Sequence, residues 1–199
     1  MLDVQHAGEC DTRIVEEMGV WSGTVRVDIA VINGRLCGYE LKSNSDNLER
    51  LPRQIDIYGK VFDRMTLIVG DRHVNKAIEN VPKWWGCMVA TMRDGAPVEL
   101  RWKRKPKANP TIDPAILVQM LWKQEAVAIL EKYGLADGWR TRRSGEISNR
   151  LLSEIPLKKL SEEIRNALKA RPKLGQLMSS EFDMAVDAIA NPTGRAAGL

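Results

Sequence analysis

Residues 24–43, TVRVDIAVINGRLCGYELKS, decide the fold of this chain. Their first half has the period-two pattern of a half-buried strand, in which apolar residues alternate with the residues between them: Val25, Val27, Ile29 and Val31 alternate with Arg26, Asp28, Ala30 and Ile32. Asn33-Gly34 is a strong turn signal, and a second alternating run follows as far as Lys42. The segment is therefore predicted to be a β-hairpin.

The register of this hairpin decides where its polar residues lie. A two-residue loop through Asn33-Gly34 would turn Glu40 away from Asp28 and into the core, which the pleat penalises. A register shifted by one, with a three-residue loop or a bulge near Gly38, instead places the apolar residues on one face of the hairpin and the polar residues on the other. Its apolar face would pair Val27 with Leu41, Ile29 with Tyr39 and Val31 with Cys37. We predict the shifted register, which puts Asp28, Glu40 and Lys42 together on the other face.

Two carboxylates that face each other on a sheet repel unless a cation lies between them. Lys42 or Arg26 could neutralise Asp28 and Glu40 in a structural salt-bridge cluster. A divalent metal could do the same, and an all-oxygen donor set without His or Cys suits magnesium or manganese rather than zinc. The spacing alone leaves both interpretations open.

The residues around the hairpin predict a mixed sheet. We expect a helix before it and a second helix over residues 47–64, where Pro52 either kinks the helix or marks its first turn. Gln54 and Tyr58 share a face of that helix because they are four residues apart. The remaining elements are strands 65–70, 87–92 and 98–102 and a short helix over 75–80, which together indicate an α/β (α+β) fold.

Asp28, Glu40-x-Lys42 and Gln54-x-x-x-Tyr58 together resemble the motifs of the PD-(D/E)XK nuclease superfamily. The likeness is closest to its small bacterial and phage members with an R-V-D-I-A-V-I-N-G … G-Y-E-L-K-S core, and it covers residues 11–103. It implies a restriction-endonuclease-like mixed sheet flanked by helices. One departure is Val27, which stands where the family usually has proline before the aspartate.

The resemblance also implies roles for individual residues. Asp28 and Glu40 match the metal-binding carboxylates, the carbonyl of Leu41 would be a further ligand, and Lys42 matches the lysine that orients or activates water. Gln54 and Tyr58 match an element beside the site and complete the expected catalytic set. An upstream acid often completes the metal shell, and Glu17 is our choice, ahead of Glu16 and then Glu9.

The implied function is a nuclease that hydrolyses DNA phosphodiester bonds with Mg²⁺ or Mn²⁺. The alternative is a non-catalytic DNA-binding or phage-encoded inhibitory protein on the same scaffold. DNA is the expected partner in both cases, and a homodimer or a partner protein is expected to assist in targeting so small a protein.

Composition adds weaker constraints. The chain has 199 residues and a net charge of +4, which is compatible with nucleic acid but not diagnostic. Its cations are concentrated in residues 101–107 and in Arg140, Arg142 and Arg143. Each group is either a solvated segment or a phosphate contact. The cysteines, Cys10, Cys37 and Cys87, form no disulfide framework or metal spacing, and no run is apolar enough for a membrane, so we expect a cytoplasmic protein.

The last third of the chain is predicted to be helical. Residues 1–105 would form the nuclease-like core, 106–112 a linker and 113–172 a helical region. Asp113-Pro114 opens its first helix, which extends to Gly134, and helices over 144–155 and 157–170 follow. Residues 127–170 resemble a SAP-like DNA-binding module, although a plain helical cap has the same pattern. Residues 173–199 are expected to be a flexible tail.

Overall fold

The computed structural model describes residues 12–21, 23–92 and 97–172. Six strands form one mixed sheet in chain order: β1 (Arg13–Val20), β2 (Val25–Ile32), β3 (Leu36–Lys42), β4 (Arg64–Gly70), β5 (Gly86–Thr91) and β6 (Glu99–Arg104). β2 pairs antiparallel with both β1 and β3, whereas β3, β4 and β5 are parallel, and β6 runs antiparallel to β5. This arrangement confirms the predicted α+β class.

Helices connect and follow the strands. They are α1 (Leu51–Gly59), α2 (Val74–Asn80), α3 (Pro114–Leu117), α4 (Lys123–Lys132), α5 (Ser144–Glu154) and α6 (Leu157–Ala170), with short 3-10 turns at Asp71–His73 and Val118–Met120. Among the helices in the described ranges, none is long and apolar enough to cross a membrane. The predicted tail, 173–199, lies outside the described residues.

The elements on either side of the hairpin were predicted in part. Strand β1 directly precedes the hairpin and pairs along β2, and its β-branched Ile14 and Val15 suit a strand. Residues 1–11, where a helix before β1 would have to lie, are outside the described residues. The helix expected over 47–64 is shorter, because Pro52 occupies the first turn of α1 and so marks its start instead of kinking it.

The C-terminal helices agree closely with the sequence, with one interruption. Asp113 caps α3 by accepting a hydrogen bond from the Ala115 amide at 2.9 Å, as predicted. The single helix expected as far as Gly134 is wrong, because the backbone is extended at Leu121 and Trp122 between the 3-10 turn and α4. Helices α5 and α6 lie within one residue of their predicted bounds.

One face of the sheet and all six helices share a single apolar cluster, which we call the main core. It joins Val27, Leu36 and Leu67 of the sheet to Tyr58 of α1 and Ile164 of α6. The opposite face of the sheet holds a smaller second cluster, formed by Ile29, Val31, Tyr39, Ile68, Met88 and Ala90. The helical region therefore packs directly on the sheet.

The segment between β6 and α3, predicted to be a linker, is tied to the sheet domain. The Lys107 amide donates to the Trp84 carbonyl at 2.8 Å. The side-chain amide of Asn109 donates to the carbonyls of Gly59 and Phe62, both at 2.7 Å. These bonds satisfy the carbonyls that follow the end of α1 and fix the path of the chain into the helical region.

The end of α6 is held by β1. The Arg13 guanidinium donates to the carbonyls of Lys169 at 2.6 Å, of Arg171, and of Pro172 at 3.3 Å. Arg171 in turn lies 4.2 Å from the centre of the Trp122 ring, in a cation–π contact. Arginine at a helix C-terminus is favourable both as a donor and as a positive charge.

A glycine in β3 is required by close packing. A Cβ at Gly38 would overlap Met65 Sδ and approach the Phe62 ring, both buried in the main core. Gly38→Ala is therefore expected to lower the free energy of unfolding by about 1–3 kcal/mol in urea titrations, as overpacking does. The matched control is Gly145→Ala in α5, where a Cβ would meet nothing within 4 Å. A Gly38→Ala variant as stable as this control would contradict the packing argument.

Candidate functional site

The predicted register of the hairpin is confirmed. Ile32 pairs with Leu36 and Ile29 with Tyr39, so the loop contains three residues, Asn33 to Arg35. The backbone pairing between β2 and β3 runs from Ile32 back to Ile29 and does not extend to Asp28. There the Asp28 carboxylate accepts a hydrogen bond from the Leu41 amide at 2.6 Å, and the side chain thus takes the place of a strand-to-strand bond.

The predicted face for Val27 is wrong. Val27 packs in the main core, whereas Ile29 and Leu41 lie on the opposite face, in or against the second cluster. The alternation reverses at Asp28 because β2 no longer pairs with β3 there, and Val27 follows its β1 partner Met18 into the main core. Asp28 therefore lies where β2 separates from β3.

Glu40 and Lys42 lie on the face of β3 that α1 covers. Their side chains are 1% and 6% exposed, and Lys42 Nζ is 2.6 Å from Glu40 Oε1. A buried ion pair costs desolvation energy and adds little net stability unless further hydrogen bonds satisfy it. The additional partners come from α1.

Gln54 and Tyr58 supply those partners, and the predicted shared face of α1 is confirmed. Gln54 Nε2 donates to Glu40 Oε1, and the Tyr58 hydroxyl lies 3.1 Å from Glu40 Oε2. The Tyr58 hydroxyl also lies 2.5 Å from the Arg26 carbonyl, at the part of β2 that has left β3. Burial and then the charge of Glu40 raise the pKa of Tyr58 above its ordinary value, so this hydroxyl stays protonated and donates.

Asp28 is a carboxylate with a strongly raised pKa. Burial and, after it, the negative charge of Glu40 raise the pKa of Asp28 to about 7, although the Leu41 amide and Lys42 act in the opposite direction. Desolvation and a neighbouring like charge both disfavour the ionised carboxylate. Asp28 therefore changes charge near neutral pH, where a cation beside it would favour the ionised form.

Glu17 faces the site from β1 in an unusual backbone conformation. Its neighbours Glu16 and Met18 pair with Ile29 and Val27, so the register sets Glu17 across from Asp28. Its φ is 48°, in the left-handed region that non-glycine residues rarely adopt. Its side chain is exposed, and its charge adds to the rise in the pKa of Asp28. Glu9, our third choice of upstream acid, lies outside the described residues.

The residues suit a hard cation only in part. Asp28, Glu40 and the Leu41 carbonyl provide oxygen donors, and Gln54 Oε1 is buried without a hydrogen-bond partner. Oxygen donors of this kind fit Mg²⁺ or Mn²⁺. In the ranges that the structure describes, however, no three His, Cys, Asp or Glu side chains are grouped to hold a metal. Glu17 is thus not drawn into a three-carboxylate group with Asp28 and Glu40.

The two basic segments lie in different parts of the fold. The first, which begins at Arg101, is on edge strand β6, and β4 and β5 separate it from β3. The second, with Arg140 and Arg142, precedes α5 in the helical region. The first segment therefore does not adjoin the carboxylates of β2 and β3.

Similarity to known proteins assigns the chain to a family. Residues 1–184 match the family described as Bacteriophage P4 protein cII. The chain belongs to this family. Protein cII of Enterobacteria phage P4 is 26% identical to the chain over 161 residues, which are 81% of the chain and 60% of the phage protein. The chain thus spans about 60% of the length of this curated relative. No solved structure matches significantly.

Membership of the P4 cII family supports the expected phage connection. The predicted alternative was a non-catalytic DNA-binding or phage-encoded inhibitory protein. The family name states no enzymatic activity, so this membership fits the phage-encoded alternative better than it fits a nuclease.

Two features of the site have no signal in the sequence. One is the Arg26 carbonyl, which the Tyr58 hydroxyl contacts, since no side-chain pattern signals a backbone acceptor. The other is the left-handed backbone at Glu17, a conformation that sequence favours mainly for glycine and asparagine.

Proposed function

We propose that this chain is a phage-encoded nuclease of PD-(D/E)XK type that hydrolyses DNA phosphodiester bonds with Mg²⁺ or Mn²⁺. The observation behind this proposal is the convergence of Lys42, Gln54 and Tyr58 on the buried Glu40 carboxylate, beside a second carboxylate with a pKa of about 7. A structural ion pair requires only one cation, whereas this network also fixes the orientation of its carboxylate.

Each residue has a distinct part in this proposal. Asp28, Glu40 and the Leu41 carbonyl would hold the metal ion, which polarises the phosphoryl oxygen and lowers the pKa of the attacking water. Lys42 supplies a fixed positive charge where negative charge develops on the phosphate. The 2.6 Å contact with Glu40 positions the ammonium before substrate arrives.

Gln54 and Tyr58 act as positioning residues. Together they engage both oxygens of Glu40, so that the carboxylate cannot rotate freely about its last bond. The Tyr58 hydroxyl also contacts the Arg26 carbonyl, which links α1 to the part of β2 that precedes Asp28. The two carboxylates are therefore held relative to each other through one tyrosine.

The second candidate is a non-catalytic DNA-binding or inhibitory phage protein on the same scaffold. Its support is the membership of the P4 cII family, whose name states no enzymatic activity. In this case the ion pair of Glu40 and Lys42 would be structural. The two candidates make different predictions for DNA in the presence of metal.

The test is cleavage of supercoiled plasmid and of linear DNA by the purified chain with Mg²⁺ or Mn²⁺. Asp28→Asn keeps the shape of the side chain but removes its charge, and it is expected to lower the cleavage rate by about a hundredfold or more. The matched control is Asp56→Asn on α1, because Asp56 is exposed and pairs only with Lys60 in the described residues. Its cleavage rate should equal that of the wild type.

Two results would reject the nuclease proposal. Equal cleavage by wild type and by Asp28→Asn would show that the activity arises elsewhere. If the wild type does not cleave with either metal yet binds DNA in a salt-sensitive way, the second candidate replaces the first. Cleavage by Lys42→Ala tests the proposed cation in the same way. The control is Lys76→Ala, at an exposed lysine of α2.

A further inference from the structure

The segment that follows Leu100 displays a regular row of cations. Arg101, Lys103, Lys105 and Lys107 are exposed, whereas Trp102, Arg104 and Pro106 between them are half-buried. We call the four exposed residues the basic strip. The register of β6 shifts at Lys103, because Trp102 pairs with Met88 of the second cluster and Arg104 with Cys87 of the main core. The four cations therefore share exposure along one short segment and do not all lie on one face of the sheet.

The residues between these cations anchor the backbone of the strip. Trp102 packs against the second cluster. The Arg104 guanidinium donates to the carbonyls of Trp85 at 2.8 Å and of Pro82 at 3.0 Å. The Lys107 amide is bonded to the Trp84 carbonyl. The row is therefore fixed before any partner binds, which reduces the entropy lost on binding.

The strip differs from the other basic segment in its charge balance. Each segment has one long ion pair between exposed side chains, Arg142 with Glu146 at 3.6 Å and Arg101 with Glu99 at 3.7 Å, and such pairs contribute little. The second segment also has a close pair, Arg140 with Glu131 at 2.8 Å. Within the described part of the chain, no ion pair involves Lys103, Lys105 or Lys107. The strip thus presents uncompensated positive charge.

Protection of the sheet edge explains only part of the strip. Lysine on an edge strand discourages pairing with another chain, and Arg101 and Lys103 lie on the edge strand β6. Strand β6 ends at Arg104, however, and Lys105 and Lys107 continue the row where no strand edge needs protection. The continued row therefore indicates a partner with a repeating negative charge.

The strip begins level with the candidate site. Lys42 pairs with Val69, Val69 with Val89, and Val89 with Arg101. These residues form one row across the sheet, with Lys42 and Arg101 three strands apart, which corresponds to about 14 Å. A polymer that reaches both positions must be longer than a dinucleotide.

We propose that the basic strip binds the phosphate backbone of a nucleic-acid strand without regard to base sequence. Successive cations of an extended segment recur about every 7 Å, close to the distance between consecutive phosphates of an extended strand. This inference rests on the proposed function only for the identity of the partner as DNA. Binding at the strip requires neither the metal nor the carboxylates.

The test compares two triple variants that remove the same charge. Lys103→Gln/Lys105→Gln/Lys107→Gln alters the strip, and Arg140→Gln/Arg142→Gln/Arg143→Gln alters the second basic segment, in which Arg140 has a close partner. Binding to labelled single-stranded and double-stranded DNA is measured with EDTA over a range of salt concentrations. The strip variant is expected to reduce the slope of log K against log salt by about 2 to 3, at about 0.7–0.9 per phosphate contact. The control should retain the wild-type slope within about 0.5.

The outcomes separate this inference from the proposed function. A reduced slope for the strip variant alone supports the strip, whether or not the wild type cleaves DNA in the metal assay. Equal effects of both triple variants, or no DNA binding by the wild type, would overturn it. Polyglutamate that competes as well as DNA would overturn the choice of nucleic acid in favour of an acidic protein. Lys105→Glu alone, checked for folding by circular dichroism, should reproduce the direction of the effect.

Discussion

Glu40→Ala is expected to lower the free energy of unfolding by about 3–5 kcal/mol, because it leaves a buried charge without its partner. Lys42 Nζ would lose its 2.6 Å contact inside the protein, where only 6% of the lysine side chain is exposed. Gln54 Nε2 would lose its acceptor on Glu40 as well. An unsatisfied buried donor adds its own desolvation cost.

A double-mutant cycle tests this expectation. Urea titrations of Glu40→Met, Lys42→Met and the double variant give the coupling between the two side chains. The double variant should be more stable than either single variant, since apolar replacement of a buried ion pair is often neutral or stabilising. Glu79→Ala, at an exposed glutamate of α2, is the control and should change stability by no more than about 0.5 kcal/mol.

The cycle also shows whether the pair of Glu40 and Lys42 serves activity or folding. A stable double variant that no longer cleaves DNA would show that Glu40 and Lys42 serve activity and not folding. A double variant as unstable as Glu40→Ala would contradict the energetic argument, because the apolar pair should fill the same space.

Replacement of Asp28 by asparagine is expected to reduce the dependence of stability on pH between about 4 and 7. The pKa of Asp28 is raised from an ordinary 3.8 to about 7 by burial and by Glu40. In this interval the folded protein keeps a proton that the unfolded chain has lost, so stability falls as pH rises. A shift of about 3 units corresponds to a change of at most about 4 kcal/mol.

Thermal or urea unfolding from pH 4 to 8 measures this effect. The wild type should lose stability relative to Asp28→Asn as pH rises, whereas Asp56→Asn should follow the wild type. Added Mg²⁺ should stabilise the wild type more at pH 8 than at pH 6, because metal ions bind the deprotonated carboxylate. Parallel curves for wild type and Asp28→Asn would show that Asp28 does not titrate in this range.

The sequence contained enough to predict the register of the hairpin but not its distortion. Pairing Ile29 with Tyr39 and Val31 with Cys37 on one apolar face predicted the register, and the structure has both pairs. The premise that this register keeps Glu40 out of the core was wrong, because Glu40 is buried on the face that also buries Val27. The reversal at Asp28 could not be predicted, because Val27 and Ile29 are both apolar and either face would accept them. It depends on where β2 leaves β3, which is a property of the whole sheet.

The helices were likewise predicted where the local sequence determines them and not where tertiary packing does. Pro156 separates α5 from α6, and the apolar spacing gives their extents, so local chemistry predicted both. The break at Leu121 and Trp122 has no glycine or proline to signal it. The four-residue spacing of Gln54 and Tyr58 predicted a shared face, but their common target, Glu40, follows from the way α1 packs on β3.

The bond between Arg13 and the end of α6 has a consequence for how the chain folds during synthesis. It closes a loop of 156 residues between Arg13 and Lys169, and a contact of such separation forms late because the entropy of closing the loop is lost first. While the ribosome still holds α6, this cap cannot form. The Arg13 side chain thus acquires these acceptors only after residue 172 has left the ribosome, whereas the backbone of β1 can already pair with β2.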